Sequence, residues 1–241
     1  MGVSLVNRTS ALFWLSKVEA ADLPIPPTVI VAYNHRKALA LMEGEGDGEM
    51  PVAAVRFAAE TIGFPVFIRT DLASAKHDGP EAYRADRLGD IAQVLARTVG
   101  DNEIKFWLHG PGPVAFLVRQ WLNLESTFSA FWGKGHRIAK EYRVFSDGQR
   151  ALCRHFYWPE EAIDGHNPSV PDWRTCLERL AVLSDGEVAL LEDLACRAAH
   201  AAGDGSWSVD FAKDETGKWW LIDMAVAEES WHPACVAGKP A

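Results

Sequence analysis

The chain has 241 residues, a length that accommodates one large domain or two joined lobes around a sizeable core. Its composition, 48% hydrophobic and 24% charged with no low-complexity tract, is that of an ordinary globular protein. A net charge of −9 argues against nucleic acid as a partner, because phosphate binding wants a net basic face, although one basic cleft on an acidic body is compatible with it.

The first residues, MGVSLVNRTSALFWLSK, lack the basic start, apolar stretch and cleavage site of a secretory leader. No apolar run approaches the ~20 residues that a helix needs to cross a bilayer. The four cysteines, Cys153, Cys176, Cys196 and Cys235, are far apart with no CxxC pair, which favours reduced thiols over a zinc site or a disulfide framework. The expectation is a soluble, cytoplasmic protein with no membrane partner.

Leu23-Pro24-Ile25-Pro26-Pro27 is a stiff extended segment that cannot be helical. The β-branched run Thr28–Tyr33 after it predicts a buried strand, and a helix is expected over Arg36–Glu43. Gly44-Glu45-Gly46-Asp47-Gly48 is glycine-rich but lacks the Lys-Ser/Thr ending of a phosphate loop, so it predicts a surface turn. Pro51 suits the first turn of a helix carrying Val55, Phe57, Ala58 and Ile62, with Gly63 at its C-cap. A strand Phe64–Arg69 follows, then a loop of small residues that delivers Lys76. A helix over Asp86–Thr98 precedes strands near Ile104–Leu108 and Val114–Trp121.

In the second half, strands near Lys140–Phe145 and Ala151–Tyr157 are joined by Ser146-Asp147-Gly148, a hairpin signal. After a polar loop reaching Pro171 come two helices. Ser184 with Glu187 forms a capping-box signature for the second, whose face carries Val188, Leu191, Leu194 and Ala198 and which Gly203 ends. Helices and strands mix without a regular βαβ alternation, so the fold class is α+β.

The sharpest local signal is Trp207–Asp223. Two apolar runs flank Asp-Glu-Thr-Gly, which predicts a hairpin with Gly217 in the left-handed region. A turn of two or four residues pairs positions of opposite parity, which sets Asp210 directly or diagonally opposite Asp223 on one face. Two like charges so close are unfavourable without a cation between them, and a lone carboxylate inside an apolar strand costs several kcal/mol. Oxygen ligands with no His or Cys beside them suit Mg²⁺, most of all when phosphates complete the shell. The competing reading is an ordinary ion pair with an Arg or Lys.

Four stretches in this order, "PPTVIVA", "FPVFIRTDLASAKHD", "LVRQWLNLE" with "KEYRVFSDG", and "WSVDFAKDETGKWWLIDMA", give the chain a resemblance to the ATP-grasp superfamily over most of its length. The group it looks most like is the small bacterial and phage one related to the cell-division-cycle protein 123 family. The resemblance implies two lobes, an N-terminal one over 1–118 with the phosphate-covering loop and a C-terminal one over 119–241 with hinge and metal hairpin, and nucleotide bound between two sheets. It implies ATP and Mg²⁺ as cofactors. It assigns Lys76 and Arg143 to the phosphates, the backbone of Gln120, Trp121 and Leu122 to the adenine edge, Glu125 to the ribose hydroxyls, and Asp210 and Asp223 to the metal. Related proteins have Asn two residues beyond the second Asp. Here Ala225 stands in that place, so Glu228 or water has to supply the further ligand, or metal binding is weakened.

Arg69 and Arg119, at the ends of apolar strands, are candidates for catalytic contacts to phosphate or carboxylate, and equally for structural pairing. His77 reads as a solvent-facing loop residue, and His155 and His232, in "RHFYWP" and "SWHP", as packed and hydrogen-bonded. No nucleophile elbow, HExxH or dinucleotide fingerprint is present. What the resemblance implies is an ATP-dependent ligase joining a carboxylate and an amine, with a peptide or protein among the candidate acceptors. An ATP-binding assembly chaperone and a non-catalytic scaffold are the alternatives.

Overall fold

The computed structural model describes residues 7–32, 49–72, 80–109, 113–131, 135–203 and 205–232. Ser10 accepts a hydrogen bond from the Leu12 amide and opens α1, Ala11–Ala20. Then come β1 (Thr28–Ala32), α2 (Glu49–Ile62), β2 (Val66–Thr70) and β3 (Arg84–Ala85). They are followed by α3 (Ile91–His109), β4 (Ala115–Gln120), β5 (Ser126–Ala130), β6 (His136–Ala139), β7 (Glu141–Ser146) and β8 (Ala151–Phe156). The chain continues through α4 (Glu160–Ile163), α5 (Trp173–Leu180), α6 (Asp185–Ala202), β9 (Trp207–Lys213) and β10 (Trp219–Val226). This is the expected mixture of helices and antiparallel sheets. No helix among the described residues is long and apolar enough to cross a membrane.

Several local expectations hold. Gly63, at φ +91°, closes α2 with its amide on the Ala59 carbonyl. Ser184 and Glu187 make both halves of the capping box on α6. Two expectations are corrected: β1 is a strand but an edge one with Ile30 46% exposed, not a buried one, and Ile104–Leu108 is not a strand but the last part of α3. The helix expected over Asp86–Thr98 continues through Gly100, since one glycine inside a helix costs only ~1 kcal/mol and does not stop it. The segments 36–43 and 44–48 lie outside the described residues. The helix α1, the short α4 and the β5–β6 hairpin were not anticipated.

The chain forms two units, Pro26–Leu122 and the combination of Met1–Ile25 with Asn123–Ala241. The division therefore differs from a single cut after residue 118. It falls beyond the end of β4, and α1 joins the C-terminal part. There Phe13 stacks on Trp207 at 5.8 Å, Lys17 Nζ donates to the Ala202 carbonyl at 2.8 Å, and Arg197 donates to the Ala21 carbonyl at 3.0 Å.

In the unit 26–122, an antiparallel sheet of order β1-β4-β2-β3 packs one face against α2 and α3. Val55, Ala59, Ile68, Leu95, Phe116 and Val118 belong to that core. In the other unit, a sheet of order β10-β9-β7-β8 lays one face on α6. The separate β5–β6 hairpin packs Phe128 and Ile138 with Trp158, Trp173 and Leu177. Strand period two then decides which side chains of β9 face the helix (Trp207, Val209, Phe211) and which face away from it (Ser208, Asp210, Ala212).

Candidate functional site

The face of the β10-β9-β7-β8 sheet turned away from α6 carries the chemistry, and its register explains how. Lys213 pairs with Trp219, so the turn is the five residues Asp214 to Lys218 and not two or four. Asp214 organises it: its Oδ1 accepts from the amides of Thr216 at 2.9 Å and Lys218 at 3.0 Å, while Gly217 supplies φ +90°. A five-residue turn pairs positions of like parity. Continued regularly, it would set Ile222 against Asp210 and send Asp223 to the helix side. A β-bulge between Leu221 and Asp223 absorbs one residue, and beyond it Asp223 pairs with Asp210. The expected juxtaposition of the two aspartates is present in the register, but a bulge produces it, not the turn.

The next strand completes a row. Arg143 on β7 is the register partner of Asp210 on β9, so Asp223, Asp210 and Arg143 lie side by side across three strands. Arg143 grips Asp210 with two parallel bonds, Nε to Oδ1 at 2.7 Å and Nη2 to Oδ2 at 2.8 Å. Its Nη1 donates to the Trp231 carbonyl at 3.0 Å, and its guanidinium lies 5.1 Å from the Tyr157 ring centroid. The side chains of the pair are 13% and 5% exposed. Burial by itself lowers the Arg143 pKa, but the hydrogen bond and charge of Asp210, helped by Tyr157 and Asp223, raise it well above the usual arginine value. Asp223 is half-buried and accepts at Oδ1 from the Met224 amide at 3.0 Å. Ala225 lies on this face opposite Ser208, and Glu228 is exposed on the one-turn helix Ala227–Glu229 that follows.

The same face holds a second set of donors at the edge of the sheet. Cys153 and His155 on β8 pair with Phe145 and Arg143 on β7. The segment after β10 brings His232 over them, its ring 4.4 Å from Phe145 and 4.9 Å from His155, with Nε2 at 3.0 Å from Cys153 Sγ. Burial pushes the His155 pKa down, and the neighbouring His232 and Arg143 add to it. Both histidines are packed, as expected. Their meeting with Cys153 was not foreseen, although Cys-x-His on a strand puts both side chains on one face.

Other candidates fall in several places. Lys76 and His77 lie outside the described residues. The Gln120 amide donates to Pro27 and the Trp121 amide to Pro65, at 2.9 and 3.1 Å, and Leu122 ends that unit. Glu125 is in the other unit, 3.8 Å from Lys213 Nζ. Lys213 in turn bonds Glu187 at 2.8 Å. Arg69 and Arg119 are buried on the sheet face turned away from α2 and α3. Arg69 Nε donates to the Thr70 carbonyl at 3.0 Å and Arg119 Nε to Thr28 Oγ1 at 3.1 Å.

No protein-family model matches the chain, and no curated protein does. Among solved structures it is similar to a RimK-domain ATP-grasp protein from Sphaerobacter thermophilus, at 13% identity over 90% of this chain and 57% of that one, TM-score 0.46. It is similar to the ATP-grasp ligase PsnB complexed with a minimal precursor, at 14% identity over 90% and 52%, TM-score 0.45. It is also similar to N5-carboxyaminoimidazole synthase from Aspergillus clavatus in complex with ADP and 5-aminoimidazole ribonucleotide, at 12% identity over 91% and 44%, TM-score 0.49. The chain spans about half the length of these proteins. All three TM-scores fall under 0.5, so the assignment of the site rests on this chain's own residues.

Proposed function

We propose that the chain is an ATP- and Mg²⁺-binding protein of the ATP-grasp type, acting as an ATP-dependent carboxylate–amine ligase. The observation that carries this reading is the row Asp223–Asp210–Arg143, two carboxylates and a guanidinium fixed on one sheet face. The donors fit the ion: carboxylate oxygens are the hard ligands Mg²⁺ takes, and Asp210 and Asp223 present them from register-paired positions on neighbouring strands. Bound there with Asp210 and Asp223, and with Glu228 as the third candidate ligand, Mg²⁺ would neutralise charge on the phosphates.

The protein's own part is positioning and electrostatics. Of the five N–H groups on Arg143, three are committed to Asp210 and the Trp231 carbonyl. The two others, one on each Nη, are the donors we assign to phosphate, held in place by the three that are committed. Lys76 is assigned to the phosphates as well. Because the Gln120 and Trp121 amides are bonded to Pro27 and Pro65, the adenine contacts fall to the Leu122 amide and the carbonyls of this stretch. Glu125 is assigned to the ribose. In the reaction, a substrate carboxylate oxygen bonds to the γ-phosphorus as the bond to the ADP oxygen breaks. An amine then attacks the acyl carbon and expels phosphate, leaving an amide. Arg69 and Arg119 are the cations assigned to the acceptor carboxylate.

One observation favours the alternative of an assembly chaperone or non-catalytic scaffold. Both oxygens of Asp210 already accept from Arg143, while Ala225 occupies the place where a further ligand is expected. The test is ADP release from Mg·ATP during a screen of amino acids, peptides and cell extract. A ligase shows release that a carboxylate stimulates and that Lys76→Ala abolishes. ATP-dependent retention of a protein without any stimulated release assigns the chaperone role, and absence of heat and thermal shift at millimolar Mg·ATP removes nucleotide binding altogether.

A further inference from the structure

We propose that Cys153, His155 and His232 form a zinc site on the edge strand β8, independent of any nucleotide. Their ligand atoms, one from each side chain, all lie within 4.8 Å of one another, which no other set of three His, Cys, Asp or Glu among the described residues does. The three are half-buried, the setting in which a thiolate and two imidazoles are shielded yet reachable.

Two independent features of the chain build this cluster. Strand periodicity supplies the first pair, since Cys153 and His155 are two residues apart on β8 and point to the same side. The third ligand comes from a distant segment. After β10 the chain crosses the sheet face, where the Trp231 carbonyl accepts from Arg143 Nη1 at 3.0 Å and His232 stands edge-on against Phe145. The imidazole is therefore held by packing before any ion arrives.

The chemistry selects the ion. One sulfur and two imidazole nitrogens are borderline-soft donors that suit Zn²⁺ and are poor ligands for Mg²⁺ or Ca²⁺. Bond lengths of ~2.3 Å to sulfur and ~2.0 Å to nitrogen at a tetrahedral angle put the two ligand atoms roughly 3.5 Å apart. Cys153 Sγ and His232 Nε2 are now 3.0 Å apart, so the pair has to open by about half an ångström, which small side-chain rotations supply. On binding, the Cys153 S–H bond breaks, an S–Zn bond forms, and the proton leaves to the buffer. The imidazoles bind as neutral rings. Three protein ligands leave the fourth position to water or to an external ligand. The loaded site would tie the segment that holds Arg143 to strand β8.

The test uses the whole 241-residue chain, untagged, stripped with a chelator and titrated with Co²⁺ as a spectroscopic stand-in for zinc. The expected result is one Co²⁺ per chain with a near-ultraviolet thiolate-to-cobalt charge-transfer band, displaced by Zn²⁺. Cys153→Ser should abolish that band, Cys176→Ser should keep it, and His232→Asn should weaken binding by about tenfold or more. A second readout needs no variant: one equivalent of Zn²⁺ should slow alkylation of Cys153 without protecting Cys176, as resolved by peptide mass mapping. A titration without a charge-transfer band, a band that survives Cys153→Ser, or equal alkylation of Cys153 with and without Zn²⁺ overturns the proposal.

Discussion

Replacing Arg143 by Met removes the cation from a buried pair and leaves Asp210 as a carboxylate that is 4% exposed. Breaking a buried, hydrogen-bonded ion pair from one side costs ~3–5 kcal/mol, because the remaining charge keeps its desolvation penalty and loses its partner. Here Asp223 is the register neighbour of the stranded Asp210, so two carboxylates face each other and the upper part of that range is expected. The loss is large against a total stability of ~5–15 kcal/mol. Arg143→Lys keeps the charge but not the two parallel bonds, and should cost ~1–2 kcal/mol. Amide hydrogen exchange along β7 and β9 reads the unit that holds the pair, and urea unfolding gives the global value. The double variant Arg143→Met/Asp210→Leu should recover much of the loss. A single-variant cost below ~1 kcal/mol, or a double variant no better than the sum of the singles, would refute the view that this pair fastens β7 to β9.

Three further outcomes follow from the same geometry. Burial would raise the Glu187 pKa, but hydrogen bonds from Lys213 and Ser184 and the charge of Lys140 bring it down to about 2. Since the folded value lies below the ordinary 4.5, the stabilisation is complete above that pH and drains away as pH falls toward 2, so Glu187→Gln should flatten the acid limb of the wild-type unfolding curve. Asp223→Asn leaves Asp210 matched one-to-one with Arg143; apo stability should hold within ~0.5 kcal/mol or rise, while the Mg²⁺ dependence of nucleotide binding disappears in calorimetry. Lys76→Ala should weaken ATP affinity with no change in melting temperature of the apo chain, and a large thermal shift with unaltered binding would assign Lys76 to the fold.

Local chemistry was the legible part. Ser184 with Glu187, Gly63 and the Ser146-Asp147-Gly148 turn specify caps and hairpins within a few residues of themselves, and each is where the sequence places it. Non-local pairing was not legible. Nothing in the sequence announces that Arg143 meets Asp210, 67 positions away, because the adjacency of β7 and β9 is a property of the whole sheet. The aspartate pair is an instructive intermediate. The prediction that Asp210 and Asp223 share a face is met, yet the assumed even turn is a five-residue one, and only the bulge at Ile222 restores the parity. Helix α3 runs past Gly100 because a single glycine costs a helix only ~1 kcal/mol. Cys153-Arg154-His155 carried a usable signal. Searching for CxxC spacing, which suits turns and knuckles, overlooks the alternate-residue spacing that a strand requires.

The two sets of donors on this face are separated by strand β7, and they differ in kind. Asp210 and Asp223 offer hard oxygens next to a guanidinium, whereas Cys153, His155 and His232 offer a sulfur and two nitrogens. Mg²⁺ holds its water tightly and exchanges it for carboxylate or phosphate oxygen, so millimolar Mg²⁺ should leave the Cys–His set untouched. Zn²⁺ binds nitrogen and oxygen donors more strongly than Mg²⁺ does, but a thiolate draws it to β8 first. The two variants should therefore act independently. Cys153→Ser should leave Mg²⁺-dependent ATP binding at its wild-type affinity, and Asp223→Asn should leave the cobalt charge-transfer band intact. Loss of both signals in either variant would mean that the sheet face behaves as a single site, with Arg143, bonded to Asp210 and paired in register with His155, as the residue that couples its halves.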